Sequence, residues 1–273
     1  MAETPETTTI SLHEAAERLD VHYMTVYRYV RLGVLPAAKV GRSWQVAVAD
    51  LEAFQAAPPV GADRGDTDWA ERFTNRALSG DEAGAWQVVE AAQASGMGFQ
   101  DTYRAIIIPS LDRIGSLWVA GEIDIAGEHV ASRVTARIIG RLGPKITSRG
   151  VRRGTVVLGG TATEQHALPI AIVADLFRGA RFDVLDLGPN LPYESFGRTV
   201  AAQPNVVAVG ISVTTSGQST ELAKTVAAVR TGTDVPIIVG GAGVTRREAV
   251  ELGADGWART GDEAVALVEA LIG

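Results

Sequence analysis

Apolar and polar positions change their period along the chain, and each change marks a boundary. From residue 155 onward, apolar runs at 155–159, 182–187, 206–212, 235–240 and a brief one at 256–258 read as strands, alternating with amphipathic helical stretches. Between 69 and 148 the period is helical throughout, with segments at 69–78, 82–95, 99–119 and 125–146. Short loops at 79–80, 96–98 and 121–124 favour antiparallel neighbours, which predicts a four-helix bundle. Residues 58–68 have no period and are rich in Pro, Gly and Asp, so they are expected to be a linker.

Ahead of that linker, Ser11-Leu-His-Glu14 has the spacing of a capping box and opens a short amphipathic helix through Leu19. A turn at Asp20-Val21 leads to a second helix over 22–32, stopped by Gly33. Residues 35–46 read as two short strands turning at Gly41-Arg42, and Asp50 is expected to cap a last helix carrying Leu51 and Phe54. The expected chain is therefore multidomain: a winged helix-turn-helix over 1–57, the linker, a helical cap over 69–148, and an α/β domain over 150–273. Alternating strand and helix predicts a Rossmann-type parallel sheet covered on both faces. Five strands suit the flavodoxin-like order 2-1-3-4-5, with its switch point between the first and third.

A length of 273 residues allows one to three domains with a sizeable core. No apolar run reaches transmembrane length, and the start, Met1-Ala-Glu-Thr-Pro-Glu-Thr-Thr-Thr, is acidic and polar, so a cytoplasmic protein with no membrane partner is expected. The chain has no cysteine and only scattered histidines, so any metal is expected to arrive inside a cofactor. A net charge of −7 argues against indiscriminate nucleic-acid binding. Locally the balance reverses, because residues 21–49 hold no acidic side chain and include Arg28, Arg31, Lys39 and Arg42. Val26 and Val30, four apart, are expected to face the core, leaving Tyr23, Thr25 and Arg28 to enter a major groove. Lys39 and Arg42 would grip phosphate or a minor groove. The alternative is a helix-turn-helix used only for protein contacts.

The candidate chemistry lies in the loops after the strands. Glu164 and His166 follow the first strand, where open parallel sheets bind ligands. A carboxylate two residues away can orient an imidazole and fix its tautomer. One histidine is too few for a bare metal ion, but it suffices for a metal whose other positions a macrocycle fills; a surface loop histidine beside a surface acid is the other reading. The loops at 212–217 and 240–244 combine small hydroxyls with glycines, which predicts a narrow polar-walled channel for a planar group. No Gly-x-Gly-x-x-Gly follows the first strand and no Walker pattern occurs, against dinucleotide and nucleoside-triphosphate binding. In the cap, Trp118 closes the third helix and Glu128-His129 opens the fourth, so the three can meet at one end of the bundle; core packing and solvated polar residues are the alternatives.

The first 55 residues resemble excisionase and MerR-type winged helix-turn-helix modules, through Ala15-Ala-Glu-Arg-Leu19, Thr25-Val-Tyr-Arg28, Arg31-Leu-Gly-Val-Leu-Pro36 and Val40-Gly-Arg42. That resemblance implies sequence-specific DNA binding by an oligomer. Glu164-Gln-His-Ala-Leu-Pro169, Ser212-Val-Thr214 and Gly240-Gly241 resemble the acid-x-His-x-x-Gly, Ser-x-Thr and Gly-Gly motifs of cobalamin-binding domains. It implies that His166 ligates cobalt from below, with the nucleotide tail in a channel lined by the other two motifs. Pro169 in place of Gly is a departure that concerns the local backbone.

Over almost its entire length the chain is similar to the CarH/LitR light-responsive repressors, whose cap signature, a Trp separated by nine residues from a Glu-His pair, is matched by Trp118 and Glu128-His129. The resemblance implies a repressor without enzymatic activity. Its implied partners are adenosylcobalamin, promoter DNA and further copies of itself, a tetramer in the dark. Trp118, Glu128 and His129 would pack around the adenosyl group. In the best-known members a His follows the Trp and ligates cobalt after light has acted; here that residue is Val119, so a second imidazole ligand would have to be His129 or be absent. A light-independent cobalamin-sensing regulator and a corrinoid carrier of a methyltransferase are the alternatives.

Overall fold

A computed structural model describes residues 8–19, 23, 26–27, 30, 35–41, 43–56, 68–146 and 150–273. The chain divides into two compact units, Met1–Val134 and Thr135–Gly273.

The first unit begins with β1 (Thr9–Ser11), α1 (Leu12–Leu19), β2 (Ala38–Val40), β3 (Ser43–Ala47) and α2 (Val48–Ala56). The capping box forms: Ser11 Oγ accepts from the Glu14 amide at 3.2 Å and Glu14 Oε2 accepts from the Ser11 amide at 2.8 Å. β2 and β3 are the expected wing, but the sheet has a third strand, β1, paired antiparallel to β3 on its other edge. Three residues are too few to show a period, so this strand is invisible in the sequence. Asp50 does not cap α2. The helix starts two residues earlier, where the Val48 amide donates to the Thr8 carbonyl at 2.9 Å, and Asp50 lies in its first turn. Val26 and Val30 are helical and buried in one cluster with Leu12, Ala15, Leu35 and Leu51, as their spacing predicts. The expected turn at Asp20-Val21 and the stop at Gly33 lie outside the described residues.

The cap comprises α3 (Trp69–Leu78), α4 (Glu82–Ala94), α5 (Phe99–Thr102), α6 (Ile108–Val119) and α7 (Ile125–Leu142). Asp68, the last residue of the expected linker, is the N-cap of α3 and accepts from the Glu71 amide at 2.7 Å; residues 57–67 lie outside the described residues. The third expected helix is not continuous. A π-turn, Tyr103–Ile107, separates α5 from α6, and the Ile108 amide donates to the carbonyl of Tyr103. Pro109 is the cause: it has no amide to donate one turn back and its ring crowds that carbonyl, so the turn widens. The boundary between the two units falls within α7, which ends in a 3₁₀ turn, Gly143–Lys145.

The second unit alternates β4 (Thr155–Gly160), α8 (Ala167–Gly179), β5 (Asp183–Asp186), α9 (Tyr193–Ala202), β6 (Val206–Ser212), α10 (Ser219–Arg230), β7 (Ile237–Gly240), α11 (Arg246–Glu251), β8 (Gly256–Ala258) and α12 (Gly261–Ile272). All pairings are parallel in the order β5-β4-β6-β7-β8, the expected topology. Side chains alternate between two cores: Val157, Val209, Ile211 and Val239 on one face, and Val156, Leu158, Ala208 and Ile238 on the other. Burial on both faces is why these strands are unbroken apolar runs in the sequence. The order places the ends of β4 and β6 side by side at the switch point.

Candidate functional site

Gly160, Ser212 and Gly240 are register partners at the carboxyl ends of adjacent strands, so the three motif loops leave the sheet next to one another. After Gly160 the chain turns through residues 161–166 and enters α8 at Ala167, with extended His166 as N-cap. Pro169 is the third residue of that helix, where an amide has no intrahelical acceptor to lose. The departure from the usual glycine therefore leaves the helix intact. Gly160 admits a close approach, since a Cβ there would lie 3.1 Å from Glu164 Cγ.

Glu164 is fully buried and accepts four hydrogen bonds. Its Oε1 receives the amide and Nδ1 of His166 at 2.9 and 2.6 Å, and its Oε2 receives the amides of Thr214 and Thr215 at 2.5 and 3.1 Å. Burial pushes the carboxyl up, but the hydrogen bonds from His166, Thr214 and Thr215 outweigh it and hold its pKa below the ordinary value. An ionised carboxylate can only accept, so Nδ1 of His166 carries a proton, which leaves Nε2 as the ring nitrogen for a metal. The imidazole is 55% exposed. A fixed tautomer, one free nitrogen and an accessible ring are what a single axial metal ligand requires.

Among the described residues no group of three or more His, Cys, Asp or Glu side chains is placed to hold a metal ion, so the site does not suit a bare cation.

The loops after β6 and β7 are tied to each other through their backbones. The Val213 amide donates to the Gly240 carbonyl at 2.8 Å and the Gly243 amide to the Val213 carbonyl at 2.9 Å. A Cβ on Gly241, whose φ is +114°, would lie 2.2 Å from the Val213 carbonyl oxygen. The glycines thus serve backbone-to-backbone contact. Gly241→Ala is expected to destabilise the protein by about 2 kcal/mol through steric and backbone strain, read as a lower midpoint in urea. The Thr214 hydroxyl is buried and has no partner among the described residues. Thr161 donates from its hydroxyl to the side-chain carbonyl of Gln218, joining the β4 and β6 loops. Gln218, Thr215 and Asn190, which accepts from the Thr163 amide, were not legible as site residues, because each acts through a contact distant in sequence.

In the other unit, Trp118 lies in the last turn of α6 and is 49% exposed, so it is not core packing. Val119 beside it is 82% exposed. Glu128 and His129 lie in the first turns of α7, with His129 Nε2 3.7 Å from Glu128 Oε2 and the Ser132 hydroxyl donating to Glu128 Oε1 at 2.5 Å. Of the expected DNA-contacting residues, Tyr23 packs its ring edge-on to His13 at 4.4 Å, and Lys39 is exposed on β2. Thr25, Arg28, Arg31 and Arg42 lie outside the described residues.

Residues 69–142 and 154–269 match two families, each described as B12 binding domain, and residues 10–58 match a helix-turn-helix domain. The chain is 27% identical over 205 residues to "Corrinoid protein DSY3155" of Desulfitobacterium hafniense, covering 72% of this chain and 94% of that one. It is 30% identical over 149 residues to "HTH-type transcriptional repressor CarH" of Myxococcus xanthus, covering 53% of this chain and 48% of that one. The monomethylamine corrinoid protein of Methanosarcina barkeri shares the fold, with a TM-score of 0.66 at 17% identity over 74% of this chain and 98% of that one. The residues fit a corrinoid at two points: the His166 ring is held through Nδ1 and is 55% exposed, so Nε2 would be available to cobalt, and the buried Thr214 hydroxyl, without a partner among the described residues, would offer a hydrogen bond to a bound group. Matched over both its helical segment and its parallel sheet, the chain is a cobalamin-binding protein, and the stretch ahead of its B12-binding domains is similar to a helix-turn-helix domain.

Proposed function

We propose that the chain is a cobalamin-dependent transcriptional regulator, a light-sensing repressor rather than an enzyme. The observation that carries this reading is the union, in one chain, of a helix-turn-helix match and two B12-binding matches. A corrinoid carrier has no use for the first. The proposed cofactor is adenosylcobalamin, which supplies a cobalt–carbon bond that visible light breaks. His166 would hold the cobalt and Glu164 orient its ring; Ser212, Thr214, Gly240 and Gly241 would contact the remainder of the cofactor. Trp118, Val119, Glu128 and His129 are the proposed cap contacts. The half-exposed indole of Trp118 supports this role, because an apolar ring left in water on a helix end is available for a ligand. Loss of that packing partner biases a two-state equilibrium between self-associated and dissociated forms.

Each helix-turn-helix binds promoter DNA through Tyr23, Thr25, Arg28, Arg31, Lys39 and Arg42. A tetramer formed in the dark brings several such modules to one site, so avidity sets occupancy. The test is oligomer size and promoter affinity of the adenosylcobalamin-loaded protein, in darkness and after green light. A smaller species with at least about tenfold weaker DNA binding is expected after illumination, as the loss of avidity. Unchanged size and affinity would remove light from the account and leave the light-independent cobalamin sensor, a reading favoured by Val119, whose side chain offers no ligand atom.

A second reading, a corrinoid carrier of a methyltransferase system, is supported by the 94% coverage of the Desulfitobacterium corrinoid protein. It predicts methyl transfer between the bound corrinoid and a partner enzyme, and no sequence-specific retention on DNA.

A further inference from the structure

We infer that Asn190 is a positioning residue for His166, setting how fully that imidazole, rather than the cofactor's own nucleotide base, takes the lower cobalt position. The inference rests on the corrinoid reading of the site. The loop that delivers His166, Thr161-Ala-Thr-Glu-Gln-His166, contains no glycine, yet Thr163 has φ of +76°, a left-handed conformation that a β-branched residue resists. Something outside the loop must hold it there. The Thr163 amide donates to the Asn190 side-chain oxygen at 2.9 Å. Asn190 is itself left-handed, with φ of +56°, which asparagine tolerates better than most residues.

The anchor is firm because its own loop is tied down. The Gly188 amide donates to Asp186 Oδ1 at 2.9 Å, the Gly160 amide to the Gly188 carbonyl at 2.9 Å, and the Leu191 amide to the Gly160 carbonyl at 3.4 Å. Asn190 therefore fixes the first half of the loop against the loop that follows β5, while Glu164 fixes the second half against the amides of Thr214 and Thr215. If the acceptor at 190 is lost, Thr163 relaxes toward an extended φ. The peptide leading into Glu164 then rotates, and the orientation of His166 goes with it.

The experiment labels every histidine with ¹⁵N and loads the full-length protein with cob(II)alamin. In the electron paramagnetic resonance spectrum, a ¹⁵N-imidazole splits the cobalt lines into doublets and the unlabelled nucleotide base into triplets. The unaltered protein is expected to show doublets. Asn190→Gly, which keeps the left-handed backbone but removes the acceptor, is expected to shift the population toward triplets and to weaken cobalamin binding about fivefold, the worth of one hydrogen bond. Asn190→Asp, which keeps the acceptor, should remain near the unaltered spectrum, and adding Thr163→Gly to Asn190→Gly should recover doublets because glycine takes positive φ without strain. Full doublets and unchanged affinity in Asn190→Gly would overturn the inference alone. Absence of doublets in the unaltered protein would overturn the His166 reading, and this inference with it.

Discussion

His166→Ala is expected to lower cobalamin affinity by at least about 100-fold and to abolish the imidazole signal from the bound cobalt, since loss of a group that merely orients a ligand already costs about 10- to 100-fold. The other histidines, His13, His22 and His129, lie far away in the sequence, and an amide nitrogen is no substitute because it has no free lone pair to donate. The apoprotein should keep its fold. The ring is 55% exposed and donates to Glu164, so deletion costs about 1 kcal/mol of stability. Spectrophotometric titration with hydroxocobalamin, paired with urea unfolding of the apoprotein, separates the two effects. A variant that takes up cobalamin as tightly as the unaltered protein would end the ligand assignment.

Glu164→Ala attacks the same site through stability. Removing the carboxylate strands the amides of Thr214 and Thr215 in a closed loop and frees the ring of His166, for an expected loss of about 3 kcal/mol. Glu164→Gln keeps the volume but turns an amide nitrogen toward groups that are themselves donors, so it should recover only part of the loss. The pH dependence gives the sign. The folded state holds the Glu164 carboxyl below its unfolded value of about 4.3, so its contribution is complete above that pH and disappears as pH falls through the lower folded value. The stability gap between the unaltered protein and Glu164→Gln should therefore narrow on acidification below about pH 4. A gap that stays constant from neutral pH to pH 3 would mean that Glu164 is not held as an anion.

Much of the molecule was legible because much of it is local. The capping box at Ser11 and Glu14 closes within one turn, and α3 begins and ends where its period does. The parallel sheet announces itself because strands buried on both faces must be apolar throughout, and the short connections leave few possible orders. Misread features broke a local rule or depended on a distant partner. Pro109 widened a helix that a hydrophobic period alone continues, and β1 exists only because β3 has a free edge to pair with. The glycines after β7 have a further role that no local pattern announces, since they allow two backbones to touch.

From the sequence alone came the alternation and order of the elements of the parallel-sheet domain, the placement of Glu164 and His166 at the end of the first strand of the sheet, and the spacing of Trp118 from Glu128-His129, since periodicity, capping and turn chemistry act over a few residues. Only the tertiary structure decided that Glu164 is buried and ionised, that its second oxygen spans to Thr214 and Thr215 about fifty residues away, and that Asn190 holds Thr163 in a strained turn. These are contacts between loops that meet at the ends of neighbouring strands. Their partners share no pattern along the chain, and the sheet order alone makes them neighbours.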